Sequence, residues 1–188
     1  YLNRTITVCQ SIISDTAISQ YEIIVVDDGS SDTTWDILKD FHSKNGSVKC
    51  IRLSKNFGQH MALTAGLDSA KGDYIVVMDS DLQDEPETIQ TLLQTCKQGY
   101  DGVVVKRIVK NNGSFKKISS KLFYLLFNYI SDLKLKPGTG VYRIISRQVV
   151  DNTKMLREKN RFLTGLIDWV GFNTIEIEVE RHDRSLGK

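Results

Sequence analysis

Two aspartates follow an apolar run and have the spacing to bind a cation together. The run Val76-Val77-Met78 ends abruptly in Asp79-Ser80-Asp81. In a strand, residues two apart point to the same side, so Asp79 and Asp81 are predicted to face one ligand where the strand emerges. Sites built from oxygen suit Mg²⁺ or Mn²⁺, and Mg²⁺ typically takes one or two carboxylates plus substrate phosphates. The pattern therefore favours a nucleotide diphosphate as substrate, the alternative being a solvated acidic turn.

The elements around this pair predict an α/β domain. Apolar residues at helical spacing begin the chain, and apolar strands then alternate with helices. We predict strands at about 21–26, 48–53 and 73–78, and helices at about 2–13, 33–43, 58–69 and 86–98. Such alternation implies a mostly parallel sheet with helices on both faces, whose ligands lie at the carboxyl ends of the strands. Asp27-Asp28 also follows a predicted strand, so the two acidic clusters are expected to converge.

The charge of the chain is divided between its two halves. The 188 residues, 40% of them hydrophobic, are enough for one globular domain. Residues 1–100 carry 8 Lys and Arg against 14 Asp and Glu, whereas residues 101–188 carry 17 against 9. The acidic half suits a metal ion and the basic half suits an anion. Because the basic residues are interleaved with a long apolar helix rather than with stacking aromatics, phosphate or a membrane surface fits better than nucleic acid.

That apolar helix is predicted at about 115–131. Its polar residues form one narrow stripe, and apolar side chains cover the remaining faces. The stripe consists of Lys117, Lys121, Tyr124, Asn128 and Ser131. So broad an apolar surface must be buried, either in the protein core or in a membrane interface where basic residues reach the headgroups. The sequence contains no apolar run of about 18 residues, so no membrane-spanning segment is predicted within it.

Four motifs, in order and spacing, resemble the inverting GT-A glycosyltransferases of family two. They are Val26-Asp27-Asp28-Gly29-Ser30-Ser31-Asp32, Leu53-Ser54-Lys55-Asn56-Phe57-Gly58-Gln59, Ala65-Gly66-Leu67-Asp68-Ser69-Ala70-Lys71-Gly72-Asp73 and Met78-Asp79-Ser80-Asp81-Leu82-Gln83-Asp84-Glu85-Pro86-Glu87. Within that family the chain is most similar to polyprenyl-phosphate sugar transferases, the dolichol-phosphate mannose synthase and bactoprenol glucosyltransferase type. The resemblance extends from about residue 21 to residue 188.

The resemblance implies a fold, a domain organisation and a reaction. The fold is the Rossmann-like GT-A fold, here as one catalytic domain over residues 1–188. Residues 1–100 would form the half that binds the nucleotide sugar, and residues 101–188 the half that binds the acceptor. The reaction would move a hexose from a UDP-glucose or GDP-mannose type donor to undecaprenyl or dolichyl phosphate, with Mg²⁺ or Mn²⁺. The product would serve cell-envelope polysaccharide synthesis or glycan modification.

The resemblance also assigns residues to each part of this reaction. Asp79 and Asp81 would be catalytic and would hold the metal ion together with Gln83. The nucleotide sugar would contact Asp27, Asp28, Lys55, Gly58 and Asp79, with Gly58 permitting a close backbone approach. The acceptor phosphate would be bound by basic and hydroxyl residues of the second half, namely Arg107, Lys116, Ser120, Arg181, Arg184 and Lys188.

One departure from the family pattern and one feature of the relatives bear on this interpretation. The family's first strand, which walls the nucleotide pocket, has no counterpart in this sequence. In relatives of this type a membrane anchor often follows the basic C-terminal segment. We therefore expect a piece of a longer membrane-anchored protein, with the catalytic domain at the cytoplasmic face of the membrane. Because relatives with membrane anchors often associate, a homo-oligomer is a further expectation.

A second departure from the family pattern concerns the acceptor. Bactoprenol-type members commonly carry two aspartates in a segment that here is Gly138-Thr139-Gly140-Val141-Tyr142-Arg143. A sugar hydroxyl needs a base to deprotonate it, whereas a phosphate monoester, with a second pKa of about 6, is mostly dianionic at neutral pH. The missing carboxylates therefore favour a phosphate acceptor.

Other functions stay open at this point. One alternative is transfer to a sugar hydroxyl in polysaccharide synthesis, although the Gln-x-x-Arg-Trp motif of processive synthases is absent around Trp169. A second is a non-catalytic scaffold that binds nucleotide sugars. A dinucleotide-dependent oxidoreductase is disfavoured, because Gly138-Thr139-Gly140 lacks the third glycine and the preceding first strand.

Overall fold

The computed structural model of this chain describes residues 1–81, 83–108, 139–158 and 162–180. Their six helices are α1 (Leu2–Asp15), α2 (Thr34–Lys44), α3 (Gln59–Ser69), α4 (Thr88–Cys96), α5 (Arg147–Met155) and α6 (Leu163–Trp169). Their six strands are β1 (Ile23–Asp27), β2 (Val48–Arg52), β3 (Tyr74–Val77), β4 (Gly102–Ile108), β5 (Thr139–Ser146) and β6 (Thr174–Glu180). The helices and strands predicted before residue 100 are thereby confirmed, with ends that differ by only a few residues.

The described strands form two sheets. In the first sheet β1 pairs in parallel with β2. In the second the strand order is β3-β5-β4-β6, where β5 is antiparallel to both of its neighbours and β4 is parallel to β6. Consequently β3, β4 and β6 run in one direction and only β5 is reversed. This agrees with the predicted α/β fold and its mainly parallel strands, and it adds one reversed strand that the sequence pattern did not predict.

Helices cover both faces of the four-stranded sheet, as predicted. Alternate residues of a strand point to opposite faces, and β5 demonstrates this directly. Its Tyr142 and Ile144 belong to a buried cluster with residues of α1 and α4. Ile145, the residue after Ile144, points to the other face and belongs to a second cluster with residues of α3, α5 and α6. The two clusters are the core of the molecule, one on each side of the sheet.

Helix α3 connects the two sheets. It packs against β1, and its Leu67 lies in the same buried cluster as Ile75 and Val77 of β3. Among the described residues, β1 and β3 belong to different sheets, and no strand pairs with the second edge of either. Because α3 contacts both strands, the loop that precedes it is placed between the ends of β1 and β3.

An ion pair between a buried arginine and a more exposed aspartate connects the sheet to α6. Arg143 of β5 is 1% exposed. Its guanidinium donates hydrogen bonds to Asp168 of α6 at 2.9 Å and to the backbone carbonyl of Gly140 at 3.1 Å. A charge taken out of water requires such partners, so this pair holds α6 against the sheet.

Candidate active site

The loop after β3 carries the aspartate pair singled out in the sequence. The strand ends at Val77, so Asp79 and Asp81 lie in the following loop and not in the strand. The paired part of the strand therefore stops before them, and that the two carboxylates face one cation stays a prediction. The loop is instead held by its own side chains, since the Asp79 N–H donates to Asp84 Oδ2 at 3.1 Å and the Gln83 N–H donates to Asp81 Oδ1 at 3.2 Å.

The base of this loop is buried and anchored by two tyrosines. Asp84 is 3% exposed and Gln83 is 7% exposed. The Tyr1 hydroxyl donates to the Asp84 carbonyl, and the Tyr142 hydroxyl donates to the Glu85 carbonyl at 2.7 Å. Burial, assisted by the negative charge of Asp84, raises the pKa of both phenols, so both stay protonated donors at neutral pH. The loop is thus tied to α1 on one side and to β5 on the other.

The second acidic segment lies at the carboxyl end of β1. Asp27 is 3% exposed and accepts a hydrogen bond from the Ser30 N–H at 3.0 Å through Oδ1. Its Oδ2 lies 3.4 Å from Arg52 Nε, an ion pair by distance whose geometry is not that of a hydrogen bond. We therefore regard Arg52 as an electrostatic partner of Asp27. Asp27 supports the loop from inside rather than facing outward.

A glycine permits the β1 loop to touch the loop before α3. Gly29 has a φ of +73°, and a Cβ there would lie 2.5 Å from the carbonyl carbon of Lys55. Within the protein, a close backbone approach therefore occurs at Gly29. Gly58 has a φ of +91° with no atom within 4 Å of a Cβ position, so its backbone conformation favours glycine, and the approach of a nucleotide sugar to Gly58 stays a prediction.

Asp28 holds the turn that leads into α3. Its Oδ1 accepts a hydrogen bond from the Phe57 N–H and its Oδ2 one from the Gly58 N–H, both at 2.8 Å. The next residue, Gln59, begins α3 and donates from its side-chain amide to Asp79 Oδ1 at 2.7 Å. One turn, residues 56–59, therefore contacts both acidic segments. The structure brings together the ends of β1 and β3 in this way.

Lys55 lies in the same loop and is exposed. Its Nζ is 5.2 Å from the centre of the Phe57 ring, a cation–π distance. Phe57 is itself 48% exposed. An exposed cation and an aromatic face therefore lie at the turn that joins the two acidic segments.

The oxygen donors of the β3 loop fit a hard divalent cation. Asp79 and Asp81 supply carboxylates, and Gln83 supplies a buried amide. Among the described residues, no group of three or more His, Cys, Asp and Glu side chains is arranged to hold a metal ion. Oxygen donors of these types suit Mg²⁺ or Mn²⁺, which take few protein ligands and complete their coordination with phosphate and water.

The residues expected to bind the acceptor lie mostly outside the described part of the chain. This applies to Lys116, Ser120, Arg181, Arg184 and Lys188, and to the helix predicted at about 115–131. Arg107 lies in β4 by its backbone, and its side chain is also outside the description. Within the described ranges, none of the helices has the length and apolarity needed to cross a membrane.

The sequence interpretation missed the residues that support the acidic segments. Gln59 was quoted only as the end of a motif, and Asp84 only as part of an acidic run. Nothing in their types indicated that one holds the Asp79 side chain and the other its backbone. The position of Gln59 directly after Gly58, at the predicted helix start, was the one available signal, because a side chain there projects beside the strand ends.

Comparison with known proteins identifies the family of the chain. The model described as "Glycosyl transferase family 2" matches residues 1–153. An uncharacterized glycosyltransferase of Bacillus subtilis, YkcC, is 39% identical over 177 residues, which is 94% of this chain and 55% of that protein. A bactoprenol glucosyl transferase of Shigella phage SfV is 38% identical over 169 residues, 89% of this chain and 55% of that protein. The chain thus spans about half the length of these curated relatives.

Solved structures agree on the fold. The mannosyltransferase PcManGT of Pyrobaculum calidifontis, determined with GDP-Man and Mn²⁺, superposes with a TM-score of 0.58. The match covers 96% of this chain and 53% of that one at 14% identity. At so low an identity the likeness establishes the fold and no more.

Proposed function

The chain belongs to glycosyl transferase family 2, and we propose that its protein transfers a hexose from a nucleotide-diphosphate sugar to a polyprenyl phosphate with inversion at the anomeric carbon. The observation that carries this proposal is the 38% identity to a bactoprenol glucosyl transferase over 89% of the chain. The acceptor class follows from that relative's name, and the donor class from the family. UDP-glucose and GDP-mannose are the donor types we propose to test.

The contacts around the two strand ends support a donor site. In the proposal Asp28 and the turn at residues 56–59 border the nucleotide, and Lys55 adds a positive charge near the diphosphate. Asp79 and Asp81, with Gln83, would hold Mg²⁺ or Mn²⁺. When bound, the cation would stabilise the negative charge that accumulates on the departing diphosphate. The chain's own contribution is to fix these oxygens in place before the donor arrives.

The proposed transfer balances without a protein base. An oxygen of the lipid phosphate attacks C1 of the sugar, and the bond between C1 and the diphosphate oxygen breaks with its electron pair leaving on the nucleotide diphosphate. A phosphate monoester is mostly dianionic at neutral pH, so no proton has to be removed. The described segment of β5, Thr139–Ser146, carries no carboxylate, and Asp168 is engaged by Arg143. This composition supports a phosphate rather than a hydroxyl as the nucleophile.

The place of the reaction follows from its two substrates. A polyprenyl phosphate is a membrane lipid and a nucleotide sugar is water-soluble, so we propose that the domain acts at a membrane surface, on its cytoplasmic face. Our proposed contacts for the acceptor phosphate remain the hydroxyl of Ser120 and five basic residues, namely Arg107, Lys116, Arg181, Arg184 and Lys188.

A transfer assay tests the proposal. The purified protein is incubated with radiolabelled UDP-glucose or GDP-mannose, undecaprenyl phosphate in detergent, and Mn²⁺. We expect label in an organic-extractable, acid-labile lipid product of inverted configuration, lost with EDTA and in Asp79→Ala but retained in Asp40→Ala on the exposed face of α2. Label in a water-soluble glycan would establish the sugar-hydroxyl alternative. Donor binding with neither transfer nor metal-dependent hydrolysis would establish the non-catalytic scaffold.

A further inference from the structure

The Asp79 side chain is held by a residue that no motif assigned to the site. The Gln59 side-chain amide donates to Asp79 Oδ1 at 2.7 Å, while the Asp79 N–H donates to Asp84 Oδ2 at 3.1 Å. An ionised carboxylate accepts only, so the Gln59 group that faces it must be the NH₂ and not the carbonyl. The distance is that of a strong hydrogen bond to a charged acceptor. Backbone and side chain of Asp79 are thus both fixed.

The position of Gln59 depends on the other acidic segment. Gln59 is exposed, and a free surface glutamine would sample many rotamers at an entropic cost of ordering. Its backbone, however, follows directly on Phe57 and Gly58, whose N–H groups are both bound by Asp28 at 2.8 Å. The same turn is pressed against the β1 loop at Gly29, where no side chain would fit. The start of α3 is therefore located by the end of β1.

We propose that Gln59 is a positioning residue for Asp79 and couples the β1 end of the site to the β3 end. This rests on the proposed function, in which Asp79 holds the cation on the donor diphosphate. Because the amide is neutral, it fixes the plane of the carboxylate without cancelling the charge that attracts a cation. Asp28 affects Asp79 indirectly, because it holds the turn that precedes Gln59. Gln59 does not touch the reacting atoms.

Three roles for Gln59 predict different results. As a hydrogen-bond donor, it can be replaced neither by Met, which has similar length and no polar group, nor by Glu, which accepts only at neutral pH. As a direct metal ligand through its carbonyl oxygen, it would be replaced well by Glu, whose charge favours the cation. As an incidental surface contact, it would tolerate both substitutions.

The first measurement needs no metal. In the metal-free protein, the ¹H–¹⁵N spectrum should show the Gln59 side-chain amide with one proton shifted downfield. Asp79→Ala should collapse that shift, and Gln59→Met identifies the resonance by removing it. A Gln59 amide with random-coil shifts that do not respond to Asp79→Ala would overturn the contact itself.

The second measurement is a Mn²⁺ titration at pH 7.5, with free Mn²⁺ followed by its EPR signal, in the presence of saturating UDP and in a parallel series of GDP. We expect Gln59→Met and Gln59→Glu to weaken Mn²⁺ binding by about three- to tenfold, the net value of one such hydrogen bond. The matched control Gln94→Glu, on the exposed side of α4, should bind Mn²⁺ as the unsubstituted protein does.

The outcomes separate this inference from the function on which it rests. Unchanged Mn²⁺ binding in Gln59→Met would overturn the positioning role and leave the donor site intact. Wild-type or tighter binding in Gln59→Glu, with loss in Gln59→Met, would also overturn it, because Gln59 would then be a ligand. If the unsubstituted protein bound no Mn²⁺ with either nucleotide, the proposed function would fail first, and the inference with it.

Discussion

At the scale of single residues, two carboxylates of the site accept hydrogen bonds from backbone N–H groups. Asp28 accepts two backbone N–H groups, and buried Asp84 accepts that of Asp79. Such charge-assisted bonds are stronger than neutral ones, and they fix loops that would otherwise be mobile. Asp28 and Asp84 therefore support the loops, whereas Asp79 and Asp81 stay our proposed ligands of a cation.

Asp28 gives a direct prediction at this scale. Replacing it with Ala removes the acceptor for the Phe57 and Gly58 N–H groups, and we expect a loss of about 1–3 kcal/mol in the free energy of unfolding. Asp32→Ala is the matched control, since Asp32 is fully exposed and accepts the N–H of Thr34, so its loss of stability should be much smaller. Urea denaturation measures both. Equal losses in the two variants would show that Asp28 does not brace the turn.

At the scale of elements, the strand ends are brought together by backbone geometry. Gly29 has a φ of +73° and lies against the backbone of Lys55 and Asn56. Gly46, by contrast, has open space where a Cβ would be and no positive φ. The two glycines therefore differ in what an added methyl group would do.

We expect Gly29→Ala to be strongly destabilising and Gly46→Ala to be nearly neutral. A left-handed φ at a residue with a side chain costs on the order of 1–2 kcal/mol, and the overlap with backbone atoms adds to it because backbone cannot move aside easily. Thermal unfolding followed by circular dichroism compares the two variants. Similar melting temperatures would contradict the close approach of the two loops.

His60, in the first turn of α3, adds a prediction about pH. Burial lowers the pKa of its imidazole, its Nδ1 is buried without a partner among the described residues, and its ring meets Phe162 edge-on at 5.2 Å. A lowered folded-state pKa means that the unfolded chain binds the proton more readily. Stability from His60 is therefore fully present above its ordinary pKa of about 6.5 and is lost as pH falls through the lowered value.

Urea midpoints at pH 7.5 and pH 5.5 measure this effect. The unsubstituted protein should lose more stability between the two values than His60→Gln, which cannot be protonated. An identical decrease in both proteins would mean that other groups carry the acid sensitivity.

At the scale of the whole molecule, much of the fold could be predicted from the sequence. Helices and strands before residue 100 follow from periodicity, and the GT-A assignment follows from four spaced motifs. The reversal of β5 could not be predicted, because an apolar run has no direction until its neighbours are known. In the candidate site, the sequence could place Asp27, Asp28, Asp79 and Asp81 at the ends of strands, and their roles stay predictions. The contacts of Gln59 and Asp84 could not be predicted, since they depend on contacts between distant segments.

The ion pair between buried Arg143 and Asp168 also depends on a contact between distant segments. It gives a prediction at this scale. Asp168→Ala leaves the Arg143 guanidinium buried with carbonyl partners only, and we expect a loss of about 3 kcal/mol, at the low end for a broken buried pair because Asp168 is partly exposed. Asp40→Ala removes the exposed partner of Lys44 and should cost about 0.5 kcal/mol or less. Chemical denaturation of both variants is the measurement, and equal costs would contradict the role of the pair.

The central claim is that the ends of β1 and β3 form one metal-dependent site for a nucleotide sugar. The most direct measurement is calorimetric titration of the chain with UDP-glucose and, separately, GDP-mannose, each with Mn²⁺ or with EDTA. We predict that one of the two binds with Mn²⁺, and that EDTA, Asp79→Ala or Asp81→Ala abolishes its binding while the variants stay folded. Binding of neither donor by the folded chain, or binding that EDTA and both substitutions leave unchanged, would contradict the claim.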